Sequence, residues 1–279
     1  MFTLNCKGRL LSVEKPLVMG IINITPDSFY SGSRHVDMDD ILKTAEKMIK
    51  DGAAIIDVGA QSTRPGSEQL SPDEEIERIG DIISSINKNF PDTIISIDTF
   101  HSAVAVNAVN DGASMVNDIS GGSMDSNMIS AVAKLNVPYI CMHIKGTPAT
   151  MQQHAKYDNI TLEVLDYFVK KIDACRKAGI KDVIIDPGFG FAKTIEQNFE
   201  LLNNLQTLKM LDAPILCGLS RKSTIYRTLN ITADEALNGT TVMNTIALLK
   251  GASILRVHDV KEAVECVKLV ESLVVSRES

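Results

Sequence analysis

Short apolar runs in this chain repeatedly end on residues that can bind ligands or do acid–base work. Leu17–Ile22 runs into Asn23, Thr93–Ile97 into Asp98, Ala113–Val116 into Asn117, Val137–Met142 into His143, and Val183–Ile185 into Asp186. Ala54–Val58 precedes a loop, Gly59–Leu70, that carries Ser62, Thr63 and Arg64. Pro214–Gly218 precedes Lys222 and Ser223, and Ser253–Val257 contains Arg256 and is followed by His258. Asp98, Asn117 and Asp186 can pair with a flat, donor-rich heterocycle edge such as an aminopyrimidinone, and Lys222 can donate to its carbonyl. Arg256 can lie on the face of such a ring or hold an anion, because guanidinium is planar and carries fixed donors. Ser62, Thr63, Arg64, His258 and the polar loop at Asn23 suit a phosphate or diphosphate.

These residues form one site only if the runs are neighbouring strands. The stretch Asp182–Phe191 shows the pattern best: three β-branched residues, Val183, Ile184 and Ile185, end at Asp186, and Pro187-Gly188 stops the run. Such runs favour parallel strands buried on both faces. Helical spacing follows most of them: Ile41, Leu42, Ala45, Met48 and Ile49; Ile76, Ile79, Ile82, Ile83 and Ile86 as one helix; Leu165, Phe168, Val169 and Ile172; and Val260, Ala263, Val264, Val267 and Val270. Ser71-Pro-Asp-Glu74, Thr194–Gln197 and Asp259–Glu262 read as helix starts. Phe2, Leu4 and Cys6, then Leu10 and Ser12, alternate as a hairpin before the first unit. The sum is a single domain over 1–279: a (β/α)8 TIM barrel with a short N-terminal β-hairpin over 1–15, near the ~250 residues typical of that fold. A doubly wound open sheet is the alternative, but it calls for GxGxxG after the first strand, where Asn23-Ile-Thr-Pro-Asp-Ser28 stands instead. In a barrel all C-terminal strand ends share one face, so the polar ends converge.

The 279 residues carry a net charge of −7, which argues against nucleic acid or an anionic membrane as a charge-driven partner. No apolar run reaches the roughly 18 residues of a membrane span, and the first residues lack a signal peptide's apolar core. Cys6, Cys141, Cys175, Cys217 and Cys266 are widely spaced with no CxxC; they read as reduced, buried thiols of a cytoplasmic protein. The chain has no Walker motif and no HExxH, and its five histidines are scattered, so a P-loop and a catalytic zinc are both disfavoured. An oxygen-ligated Mg2+ shared with a diphosphate, with Asn23 as ligand, is the better metal reading.

Plainer roles are expected for several residues. His101 and His154 read as surface or helix-start residues, His143 as a lining or structural one, and Asp118 as a turn cap before Gly121-Gly122. Asp57 reads as a buried structural acid, and Met115, Met142 and Met243 as packing residues.

Taken in order, Met19-Gly-Ile-Ile-Asn-Ile-Thr-Pro-Asp-Ser-Phe29, Asp57–Gly66, Ile97-Asp-Thr99, Val116–Gly122, Asp186-Pro-Gly-Phe-Gly-Phe191, Ser220-Arg-Lys-Ser223 and Arg256-Val-His-Asp259 resemble the dihydropteroate synthase family of folate biosynthesis. The likeness runs from about Met19 to Val260. It implies condensation of 6-hydroxymethyl-7,8-dihydropterin diphosphate with 4-aminobenzoate, giving 7,8-dihydropteroate and diphosphate. It implies Asp98, Asn117, Asp186, Lys222 and Arg256 at the pterin, with Asp98, Asp186, Lys222 and Arg256 as the catalytic set. It further implies Asn23, Thr63, Arg64, Arg256 and His258 at the diphosphate, with Mg2+ held through Asn23. Phe29, Thr63, Pro65, Phe191 and Ser223 would line the aminobenzoate site, while Phe189 packs the loop. A homodimer is implied, and so is a target of sulfonamides. Two stretches depart from the family pattern: Tyr30-Ser31-Gly32-Ser33 replaces Ser-Asp-Gly-Gly, and Ile144-Lys145 replaces Met-Gln after His143, placing Lys145 at the rim. A pterin-binding methyltransferase barrel that works with a corrinoid protein, or a non-catalytic pterin-binding barrel, would share part of this set; the diphosphate residues argue against the first, and the complete polar ring against the second.

Overall fold

The computed structural model describes residues 2–24, 38–61 and 69–278, with side chains up to Leu273. Phe29, Thr63, Arg64, Pro65 and the Tyr30–Ser33 departure lie outside the described residues. All eight expected runs are strands of one parallel sheet: β3 (Leu17–Asn23), β4 (Ile55–Gly59), β5 (Ile94–Asp98), β6 (Met115–Asp118), β7 (Tyr139–Met142), β8 (Val183–Asp186), β9 (Leu216–Cys217) and β10 (Ile254–Val257). Their order is β8-β7-β6-β5-β4-β3-β10-β9, and a bridge between Ile185 and Ile215 joins the two ends. This is the (β/α)8 barrel expected from the sequence.

The seam where the barrel closes is thin. β9 has only two residues, and Ile185 N donates to Pro214 O at 3.0 Å beside the single bridge.

The strand period of two decides where chemistry can sit. One residue from each strand builds an apolar interior layer: Met19, Ile55, Ile94, Met115, Ile140, Ile184, Leu216 and Ile254. Two residues further along, on the same face, stand Asp57, Asn117, Asp186 and Arg256, and four beyond Ile94 stands Asp98. The intervening residues, such as Ile56, Val58, Ile95 and Ile97, face outward and pack on the helices. A polar layer therefore rests on an apolar floor. The antiparallel hairpin β1 (Phe2–Cys6) and β2 (Arg9–Val13) closes the floor from below through Leu4, Cys6 and Val13. Leu10, on the other face, is 73% exposed and takes no part.

The helices around the barrel are α1 (Met38–Lys50), α2 (Pro72–Ile79), α3 (Ile82–Asn89), α4 (Ser102–Asn110), α5 (Met128–Leu135), α6 (Ile160–Ala178), α7 (Ile195–Asn203), α8 (Ser223–Leu229), α9 (Leu237–Leu249) and α10 (Val260–Glu278). Ser71 with Glu74 and Thr194 with Gln197 form complete capping boxes, as expected. The helix expected through Ile76 and Ile86 is two, α2 and α3, because Gly80 turns the chain at φ 45° and ψ −131°. On α6 the buried face is Ile160, Val164, Phe168, Ile172 and Cys175, while Val169 points outward, 53% exposed. All five cysteines are free and buried.

Candidate active site

Arg256 is the hub of the polar layer. Its Nε donates to Asp57 Oδ2 at 2.6 Å and its Nη2 to Asp98 Oδ2 at 2.6 Å, while Asn117 Nδ2 donates to the same Asp57 oxygen at 3.0 Å. Strands β4, β5, β6 and β10 are thereby tied together by side chains as well as by the ladder. Among the described residues, Asp98 keeps its second oxygen, Asn117 its carbonyl oxygen and Asp186 its second oxygen; Asp186 Oδ1 accepts from Gly188 N at 2.8 Å. Lys222 Nζ donates to the carbonyl of Phe189 and lies 4.7 Å above the Phe191 ring centroid.

Burial sets the protonation of this cluster. It pushes Asp98 up to about 7, against the pull of Arg256, and Lys222 down to about 8, against the pull of Asp186. Asp186 is likewise raised by burial, with Lys222 opposing. Acids and bases that converge near neutrality suit a pocket that stabilises developing charge and hydrogen-bonds a polar ring.

Residues 19–258 match the family described as pterin binding enzyme. The chain belongs to the pterin-binding enzyme family. It is 41% identical over 275 residues to the dihydropteroate synthase of Escherichia coli, covering 98% of this chain and 97% of the relative. Among solved structures it superposes on the Yersinia pestis dihydropteroate synthase in complex with a sulfonamide drug, with TM-score 0.92, 37% identity and full coverage of both chains. It also matches the Xanthomonas albilineans dihydropteroate synthase in complex with 7,8-dihydropteroate, with TM-score 0.87, 32% identity, and 97% and 98% of the two chains covered.

In this pterin-binding barrel the structure gathers Asp98, Asn117, Asp186, Lys222 and Arg256 at one mouth, as the sequence implied. Asn23 closes β3 half-buried on the same rim, and His258 is exposed just beyond β10. The Ser220 hydroxyl lies 3.0 Å from His258 Nδ1, fixing the ring. Arg221 grips both carboxylate oxygens of Asp259, at 2.8 and 2.9 Å, and the carbonyls of Ala233 and Asp234. The acid expected to start the last helix thus ties the loop after β9 to the loop after β10. Ser223 opens α8, half-buried. Phe191 joins a small apolar cluster with Phe100, Met142 and Met151, while Phe189 is buried in the main core. Lys145 stands at the rim, 2.7 Å from Glu163 and 3.7 Å above the Tyr157 ring.

The plainer readings are also settled. Asp118 accepts from Ser120 N, Gly122 N and Tyr139 Oη, each at 2.7 Å, and so holds its turn. His101 opens α4, with Nε2 3.2 Å from Leu70 O. His143 is buried, which pushes it down to about 2 and leaves it neutral.

Three residues gain roles that sequence reasoning missed. Asp57 is buried, as expected, but its partners are site residues, and its Oδ1 is buried without a partner among the described residues. Counting by two from Ile55 places it in the polar layer, so the strand period was the available signal. Lys193 sits behind the Asp186 loop, 3% exposed. Glu75, which follows the capping sequence Ser71–Glu74 and is given no role by the sequence reading, is wholly buried on α2 near the Thr99 hydroxyl and 3.9 Å from His101 Nε2.

Burial pushes Glu75 up to about 7. Between its ordinary value near 4.5 and 7 the folded protein therefore holds more protons than the unfolded chain, so Glu75 costs stability as pH rises through that window. Glu75→Gln should gain about 3 kcal/mol on the parent between pH 4 and pH 8, read from denaturant unfolding at the two pH values. A constant difference would contradict the shift.

Proposed function

We infer that this barrel condenses 6-hydroxymethyl-7,8-dihydropterin diphosphate with 4-aminobenzoate, releasing 7,8-dihydropteroate and diphosphate. The observation that carries the reading is the meeting of Asp98, Asn117, Asp186, Lys222 and Arg256 on one polar layer, in a chain that matches dihydropteroate synthases almost end to end. Asp186 and the carbonyl oxygen of Asn117 accept from the aminopyrimidinone edge, and Lys222 donates to its carbonyl. The plane of Arg256, held by two carboxylates, bounds the ring. Loss of diphosphate leaves a methylene cation conjugated with the pterin, and Asp98 and Asp186 offset that charge in a water-poor pocket. Arg64 and His258 receive the departing anion. The aminobenzoate amine, lined up by Phe29, Thr63, Pro65, Phe191 and Ser223, then attacks the methylene carbon. No protein nucleophile is required, so the displacement is SN1-like.

The rim also suits Mg2+: Asn23 offers one neutral, hard oxygen, and this ion keeps most of its shell as water and phosphate oxygens. When bound, it would supply charge neutralisation at the diphosphate. Purified protein given both substrates and Mg2+ should release diphosphate and form dihydropteroate. Pterin binding without diphosphate release would instead fit a non-catalytic binder, and a pterin trapped covalently on a side chain would exclude the SN1-like course.

The active form is read as a cytoplasmic homodimer. Val242, Leu249, Leu269 and Leu273 on α9 and α10 are exposed aliphatic residues that support such an interface. Sedimentation should give twice the chain mass, and Leu269→Glu should shift it towards the monomer. A monomeric parent protein would reject the reading. No helix of the described residues is long and apolar enough to cross a membrane.

A further inference from the structure

The loop that leaves β8 joins no ladder, yet side chains take up its carbonyls. Lys193 Nζ donates to Gly188 O and Phe191 O, each at 3.0 Å, Lys222 Nζ donates to Phe189 O, and Tyr157 Oη donates to Ala192 O at 2.9 Å. Gly190 N donates to Asn198 Oδ1 at 2.7 Å. The backbone adds one turn bond of its own, Phe191 N to Gly188 O at 3.0 Å, and the shape is strained: Gly188, Gly190 and Ala192 all have positive φ, and Ala192 sits at 49°, where a side chain costs about 1–2 kcal/mol. A Cβ on Gly188 would lie 2.1 Å from His143 O, so the loop is pressed against the end of β7.

Lys193 is the internal fastening of that loop. The third acceptor of its Nζ is His143 Nδ1 at 3.0 Å, so three ammonium protons meet three acceptors. His143, neutral and buried, accepts with Nδ1, which leaves its proton on Nε2. No carboxylate pairs with Lys193 directly; among the described residues it makes no ion pair. A buried ammonium held only by neutral acceptors is costly: burial pushes Lys193 down to about 7, against the pull of Asp186, so the fully protonated staple belongs to the acid side of neutrality. Phe191 in turn lies under Lys222, so a shift of this loop reaches the pocket on both sides.

We propose that Lys193 is a positioning residue for the aminobenzoate side of the pocket: its ammonium staples the Gly188 and Phe191 carbonyls to His143 and so fixes the Phe191 wall. This rests on the condensation reading above for the identity of the ligand. Asp186, anchored in β8 itself, depends on the staple much less than Phe191, which stands five residues out along the loop.

The test uses the whole protein and Lys193→Met, which keeps the apolar stem and removes the donors. In mildly acidic buffer a nitrogen–proton correlation spectrum of the parent should show a lysine ammonium protected from water exchange that is lost in Lys193→Met. In steady-state kinetics the variant should raise KM for 4-aminobenzoate about tenfold, equivalent to about 1.4 kcal/mol, with KM for the pterin diphosphate changed less than about threefold. An unchanged aminobenzoate KM, or both constants rising in step with a fall in Tm, would overturn the proposal. If Lys193→Met does not fold, the parent spectrum decides: a lysine set wholly averaged with solvent rejects the staple. If the parent forms no dihydropteroate, the condensation reading fails, while the ammonium signal still judges the staple.

Discussion

Arg256→Ala is expected to lower the unfolding free energy by about 3–5 kcal/mol and to abolish measurable turnover, because it strands two buried carboxylates. Asp57 and Asp98 both bond to this guanidinium at 2.6 Å, and Asp57 Oδ1 is already buried without a partner among the described residues. Burial has pushed Asp98 up to about 7 even with Arg256 beside it. Without the cation Asp98 takes a proton, which relieves part of the cost and leaves Asp57 as the chief penalty. Adding Asp57→Asn to Arg256→Ala should therefore restore part of the stability without restoring turnover. The two substitutions will not be additive, since they touch one network. Denaturant unfolding of the single and double variants checks this. A single variant as stable as the parent would mean that Arg256 is not the hub the geometry makes it.

Asp186→Asn should keep the fold and lose the pterin. Asp186 Oδ1 accepts from Gly188 N at 2.8 Å, a contact that an asparagine carbonyl can keep, so the loop should stay in place. The second oxygen is the one offered to the ring. Losing a charge-assisted hydrogen bond there costs about 1.5–3 kcal/mol, roughly tenfold to a hundredfold in affinity. Calorimetry with 6-hydroxymethylpterin measures it, and unchanged affinity would remove Asp186 from the pterin site. The sign with pH follows from the raised carboxyl. Parent affinity should fall as pH drops through that raised value, because the protonated acid loses an acceptor, and this limb should be missing in Asp186→Asn.

The strand ends were legible because a run of Val and Ile that stops at Asp, Asn or Pro-Gly is a local signal, and eight such runs suffice for a barrel. Asp98, Asn117, Asp186, Lys222 and Arg256 could be placed together without knowing any contact, since parallel topology alone brings those ends to one face. What the sequence hides is pairing. Arg256 meets Asp57 across 199 positions and Asp98 across 158, and no periodicity links an arginine on the last strand to an acid in the middle of the second. Glu75 and Lys193 were obscured for another reason. Each stands beside a strong local signal, a capping box in both cases, that gives charged residues an ordinary surface explanation. The break between α2 and α3 was masked by isoleucines at helical spacing on both sides of Gly80, and Val169 shows that helical spacing marks a stripe wider than the face actually buried.

The thin seam of the barrel has a consequence for how the protein can change. β8 meets the chain just ahead of β9 through one bridge, Ile185 to Ile215, and Lys222, reaching from beyond β9 to the Phe189 carbonyl beyond β8, spans the gap at the mouth. The same cation therefore serves closure and ligand recognition. Substitutions that re-aim Lys222 to discriminate a new ligand also loosen the joint, so adaptation in this quarter of the pocket is coupled to durability.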